Sequence, residues 1–239
     1  MNKQRLTRFI NKYYLNGTVN SIILNSNSDK LSARFVSGDK TLLGELNMDK
    51  SQIEDCEIGV YDTEQFSKLL GVLDDDINVS INKAGEKSIS LKVSDAHSSV
   101  NYMLSDVSVI NKPPQLKQIP EFHLEIDVTP NFISKFIAGK GALSDTDNFT
   151  VITDGTDTKL VIGHSSVNTN KVTIPVTTSK SSDIDNVSFN ANIFKEILHA
   201  NKECESATLE VSGDGLSRIT FKVDDYTSTY YLVSVQDVD

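Results

Sequence analysis

EIGVYDTEQFSKLLGVLDDD (57–76), running on through NVSINKAGEKSISLKV (78–93), is the stretch that decides the fold. Its opening residues, Glu57 to Val60, read as a short strand. Phe66, Leu69, Leu70 and Leu73 then recur at i, i+3, i+4 and i+7, which places them on one face of a helix. Two alternating arms around a polar, glycine-bearing centre follow and predict a β-hairpin. SSVNYMLSD (98–106) adds a third strand. The unit is strand, helix, three strands.

The same unit recurs on either side. Leu6, Phe9, Ile10 and Tyr13 repeat the helical spacing near the start. Ile133, Phe136 and Ile137 do so after Thr129-Pro130, a cap followed by proline in the first turn, and Phe194, Ile197 and Leu198 do so after Asn190, a second cap. Hairpin patterns follow each helix at SIILNSNSDKLSARFV (21–36), FTVITDGTDTKLVIG (149–163) and ATLEVSGDGLSRITFKV (207–223), with third strands at 41–48, 171–179 and 228–236. EIDV (125–128) and VSF (187–189) lead into the third and fourth helices; the first unit shows no leading strand. Such short helices are unstable alone and must lay their apolar faces on a sheet. The prediction is therefore an α+β protein with mainly antiparallel sheets on one side and four short helices on the other. The interruption at 106–120, with Pro113, Pro114 and Pro120, reads as a connector. It predicts domains at 1–110 and 121–239 joined by 111–120.

Charge is sorted along this pattern. The predicted helices (3–14, 63–73, 130–140, 191–202) hold nine basic residues: Lys3, Arg5, Arg8, Lys12, Lys68, Lys135, Lys140, Lys195 and Lys202. Against them stand Glu64 and Glu196, so the helices carry +7 in a chain of net charge −10, leaving −17 elsewhere. Arg5, Arg8 and Lys12 avoid the Leu6/Phe9/Ile10/Tyr13 face, and Lys195, His199 and Lys202 avoid Phe194, Ile197 and Leu198. Basic helices over acidic sheets predict that the helical side faces a polyanion.

Other function classes find little support. His97, His123, His164 and His199 are scattered, and neither a phosphate-binding glycine loop nor a dinucleotide fingerprint is present. Asp95-Ala-His97-Ser98-Ser99 reads as a surface turn rather than a triad. Cys56 and Cys204, without C-x-x-C spacing, fit two reduced thiols rather than a metal site or disulfide. No apolar run approaches membrane-span length. The expectation is a non-catalytic protein without metal or cofactor.

Taken as an ordered whole, 57–79, the Asn111-Lys-Pro connector, the helix spacing and the length of 239 residues resemble the sliding clamps of large tailed bacteriophages of the contractile-tail coliphage type. The resemblance covers nearly the whole chain. It implies the two-domain processivity (DNA clamp) fold, with antiparallel sheets outside and four short helices lining the inner face. It also implies a homotrimeric ring that encircles duplex DNA and tethers DNA polymerase, is loaded by a clamp loader ATPase, and can serve late transcription. The setting would be the cytoplasm of the infected host cell, with no membrane association. The nine helix cations would face DNA. Strand 98–106 (Val100, Tyr102, Leu104) would pair with strand 171–179 (Val172, Ile174, Val176) of a neighbouring subunit. A partner peptide would dock on Val109, Ile110, Leu116, Ile119, Tyr231 and Val233, although the strand residues among these equally suit sheet packing. The rival is a self-assembling structural β-protein of a virion, which accounts for strands and assembly but not for basic helices.

Overall fold

A computed structural model of the chain describes residues 1–116, 118–165, 167 and 169–235. The backbone packs as two units: Met1–Gly38, Gly44–Pro114 and Asp224–Ser228 form unit 1, and Asp39–Leu43, Gln115–Val223 and the residues from Thr229 onward form unit 2.

Unit 1 holds α1 (Lys3–Tyr14), β1 (Ile22–Asn27), β2 (Lys30–Val36), most of β3 (Leu42–Asp49), β4 (Cys56–Val60), α2 (Thr63–Leu70), β5 (Asn78–Ala84), β6 (Lys87–Ser94) and β7 (Ser99–Met103). The strands order as β3-β2-β1-β4 and as β5-β6-β7. Alternation sets the register: Leu24 lies opposite Ala33 on one side and Ile58 on the other, and Leu91 opposite Tyr102, so buried side chains meet on one face. The helices cover that face. Phe9 meets Tyr13 edge-on at 6.1 Å, and the Phe66 ring lies 4.9 Å from that of Tyr102.

Unit 2 holds β8 (Leu124–Val128), α3 (Pro130–Ala142), β9 (Asn148–Thr153), β10 (Thr158–Ile162), β11 (Val172–Val176), β12 (Thr178–Lys180), β13 (Val187–Asn190), α4 (Ala191–Ala200), β14 (Ala207–Val211), β15 (Leu216–Val223) and most of β16 (Tyr226–Val233). They order as β11-β10-β9-β13 and β12-β8-β14-β15-β16. Its core is a phenylalanine cluster: Phe136 meets Phe194 at 4.9 Å and Phe149 at 5.2 Å, both edge-on, and Phe149 stacks on Phe194 at 4.9 Å. Fully burying each ring contributes roughly 1.5–3 kcal/mol. A Cβ on Gly139 would come within 2.9 Å of Val172, so a side chain there would push α3 off β11.

Each helix begins on a side-chain cap. Asn2, Asp62, Thr129 and Asn190 accept from the backbone N–H of Gln4, Gln65, Phe132 and Ile193. The strand–helix–three-strand unit is present four times, and the first lacks a leading strand; Asn2 makes only an isolated bridge to Asp76.

Three expectations shift. The second helix ends at Leu70, with 71–73 continuing as a tighter turn that keeps Leu73 buried. The strand expected over 171–179 is broken, because β11 pairs with β10 whereas β12 pairs with β8. Pro175 lies inside β11 without an N–H, Val176 still pairs with Thr158 of β10, and the chain then turns to the other sheet, where the Thr177 carbonyl accepts from Asp127 N–H. The last strand ends at Val233, and Gln236, expected to close it, lies outside the described residues.

Candidate nucleic-acid interface

Polar helix faces differ between the two units. On α1 the face opposite the apolar stripe is Gln4, Thr7 and Asn11, all exposed. At about 100° per residue, Arg5 and Lys12 fall on the flank beside that face, whereas Arg8 lies nearer its centre. There they meet Asp224, Asp225 and Tyr226. Arg5 donates to the Asp225 carboxylate at 3.0 Å and to the carbonyls of Asp49 (2.8 Å) and Lys50 (3.1 Å). Arg8 pairs with Asp224 at 3.0 Å, its guanidinium 4.9 Å from the Tyr226 ring centre. Lys12 is 0% exposed, its ammonium 5.6 Å over the same ring. Lys3 donates to the Leu73 carbonyl. Sequence reasoning missed 224–226, because the pairing spans some 220 residues and an acidic dipeptide between strands reads only as a turn.

On α2 the Lys68 ammonium lies 2.5 Å from Glu64 one turn earlier, which raises its pKa above the usual lysine range. Unit 2 leaves more positive charge open. Lys135 on α3 and Lys202 just past α4 are exposed, with no ion-pair partner among the described residues. Around them Asn131, Ser134, Asn192 and His199 are exposed polar residues. Lys195 is half-exposed, 3.2 Å from Glu196. Lys140 is buried and donates to the carbonyls of Leu143 (3.2 Å) and Ser144 (2.9 Å), tying off the end of α3. Burial keeps Lys12 and Lys140 off any exposed face. The most accessible of the nine cations are Lys68, Lys135 and Lys202.

The residues expected at a subunit contact lie on two edge strands, except Leu104, which follows the end of the first. Among the described residues β7 and β11 each have a neighbour on one side only. Val100 and Tyr102 point into the core of unit 1, where the Tyr102 hydroxyl bonds both the N–H and the carbonyl of Asp62 at 3.0 Å. Leu104 is half-buried. Ile174 is buried, and Val172 and Val176 half-buried. What these edges offer outward is backbone, not those side chains.

The residues expected to hold a partner peptide divide between the units. In unit 1, Ile110 is buried in the core and Val109 is 63% exposed. In unit 2, Leu116, Ile119 and Val233 are exposed and Tyr231 is buried. Beside Tyr231, Arg218 forms a two-pronged pair with Glu210 (2.5 and 2.6 Å) and lies 4.6 Å from the Phe122 ring centre. A groove in unit 1 of about 360 Å³, lined by Cys56, Ile89, Leu104 and Val107, escaped sequence reasoning, since Ile89 and Leu104 read as ordinary alternating strand positions. The Asp95 carboxylate accepts from the N–H groups of Asp74 (2.6 Å), His97 (2.7 Å) and Ser98 (2.5 Å), which lower its pKa and make 95–98 a turn. No described helix is long and apolar enough to cross a membrane.

Two units built alike, each with two helices on antiparallel sheets, match known structures. The chain is similar to the proliferating cellular nuclear antigen (PCNA) of Entamoeba histolytica, with TM-score 0.75 and 13% identity over 98% of this chain and 96% of that one. It is also similar to the PCNA of A. fulgidus in a structure with the C-terminal region of FEN-1 bound, with TM-score 0.79 and 15% identity over 100% of this chain and 98% of that one. The chain has the PCNA-like clamp fold. No family model and no curated protein matches the sequence.

Proposed function

We propose that this chain is a sliding clamp: copies join edge to edge into a homotrimeric ring around duplex DNA, with the helices inward, and tether DNA polymerase. The carrying observation is the clamp fold with helix faces rich in neutral polar groups and lysines in an otherwise acidic chain. Weak contact with phosphates suits the task. A ring that neutralised many phosphates at once would bind with steep salt dependence and stop sliding, whereas non-specific binding of about 10⁻⁴–10⁻⁶ M per encounter, combined with topological closure, holds without gripping. No base readout is needed.

Ring closure would use the free edges of β7 and β11, extending a sheet between subunits by strand addition. A long edge left bare would invite aggregation. Partner peptides, by analogy with the A. fulgidus PCNA bound to the C-terminal region of FEN-1, would dock on exposed apolar groups such as Val109, Leu116, Ile119 and Val233. The resemblance to phage clamps supports a phage replisome as the setting, with polymerase and clamp loader ATPase as partners in the infected cell's cytoplasm and late transcription as a further use. No catalytic role is assigned.

Sedimentation tests the assembly. Three copies of a 26.3 kDa chain should sediment at about 79 kDa. Thr173→Pro removes an exposed edge donor on β11 and should shift the mass toward the monomer. Large open assemblies would favour the virion reading, and an unchanged trimer in the proline variant would reject the β11 edge.

A further inference from the structure

The turn at 224–225 sets two carboxylates against the cations of the helix read as DNA-facing. The two pairs differ in kind. Arg5 is held by the Asp225 carboxylate and two backbone carbonyls, with Lys50 3.2 Å from the same carboxylate, and the Tyr226 hydroxyl donates to the Arg5 carbonyl at 2.8 Å. That cluster is structural. Arg8 pairs with Asp224 on the surface, where the Arg8 side chain is 36% and the Asp224 side chain 67% exposed. Exposed pairs of this kind are weak and screened by solvent, so a phosphate, which offers the same oxygen geometry to a guanidinium, can exchange with the carboxylate. The turn is held in place, since the Asp225 carbonyl accepts from Asp49 N–H at 3.0 Å.

We infer that Asp224 is a built-in competitor for DNA phosphates, and that it sets how weakly α1 holds the duplex through Arg8. The inference rests on the sliding-clamp reading and adds a residue that tunes its grip. An acidic side chain on the rim of a cationic flank is a simple way to keep attraction without arrest: each phosphate that reaches Arg8 must displace Asp224, so contacts stay brief. Arg5, pinned from three directions, takes no part in the exchange.

The test uses the full chain and a fluorescent 30-base-pair linear duplex, which reports contact without topology, titrated between low and physiological salt. Asp224→Asn removes the charge and suits the site, because Asp224 has φ 51 and asparagine tolerates that left-handed region. Asp224→Gly is a second neutral variant equally at ease there. Either should tighten binding by about three- to tenfold at low salt and steepen the slope of log K on log salt by about 0.9, the value for one added phosphate contact. Asp224→Glu should bind as the unaltered protein does, and adding Arg8→Gln to Asp224→Asn should erase the gain. Unaltered affinity in both neutral variants, or a gain that survives loss of Arg8, overturns the inference while leaving the clamp reading intact. If the unaltered protein shows no salt-dependent duplex binding at all, the clamp reading fails and the inference with it.

Discussion

The helix pair of unit 1 and the helix pair of unit 2 are built to one pattern but held down differently. α3 and α4 are anchored by rings: Phe136, Phe149 and Phe194 meet within 4.9–5.2 Å, and exposed Lys135 and Lys202 are left to solvent. α1 also has an apolar anchor in Leu6, Phe9, Ile10 and Tyr13, but its cations are drawn into the structure by Asp224, Asp225 and Tyr226. Counting charge on a helix is therefore not the same as counting charge available to a ligand. By sequence α1 is the most basic helix; by structure its cations are half-buried or buried.

Substitutions can break or sharpen this contrast. Phe136→Ala should have the largest effect, about 3–5 kcal/mol of lost stability measured by urea unfolding, since a fully buried ring at the centre of the α3–α4 cluster leaves a cavity. A loss under about 1 kcal/mol would mean the rings are not the anchor of unit 2. Arg5→Gln should cost about 1–2 kcal/mol, because it breaks a charge-assisted network that is only partly exposed, and should change duplex affinity little. A large drop in affinity with unchanged stability would reverse the roles assigned to α1. Asn190→Ala should cost about 1 kcal/mol by removing the cap on the N–H of Ile193. The double change Lys135→Gln and Lys202→Gln should alter stability by less than about 0.5 kcal/mol, yet flatten the salt dependence of duplex binding by about 1–2 in slope. If the slope stays put, the open lysines of unit 2 are not what DNA meets.

Much of this was readable before any coordinates. Helical spacing located four helices because each has a buried face at i, i+3 and i+4, and period-2 alternation located the hairpins because one face of each strand is buried. Caps such as Thr129 and Asn190 were visible for the same local reason. What escaped the sequence depends on distant contacts. The break between β11 and β12 is decided by which sheet offers a partner to 172–180. The burial of Lys12 and Lys140 is decided by an aromatic ring more than 200 residues away in one case and by two carbonyls past the helix end in the other. Ile110, read as a docking residue in a connector, is instead packed into the core of unit 1.

The most direct measurement is retention on DNA of defined topology. The ring is assembled on nicked circular duplex at physiological salt, passed over a sizing column, and then challenged by a single linearising cut. Encirclement predicts that the protein co-elutes with the circle and is released once ends are made, with the half-life before cutting far longer than afterwards. Equal retention on circular and linear DNA, or release from both, would contradict it.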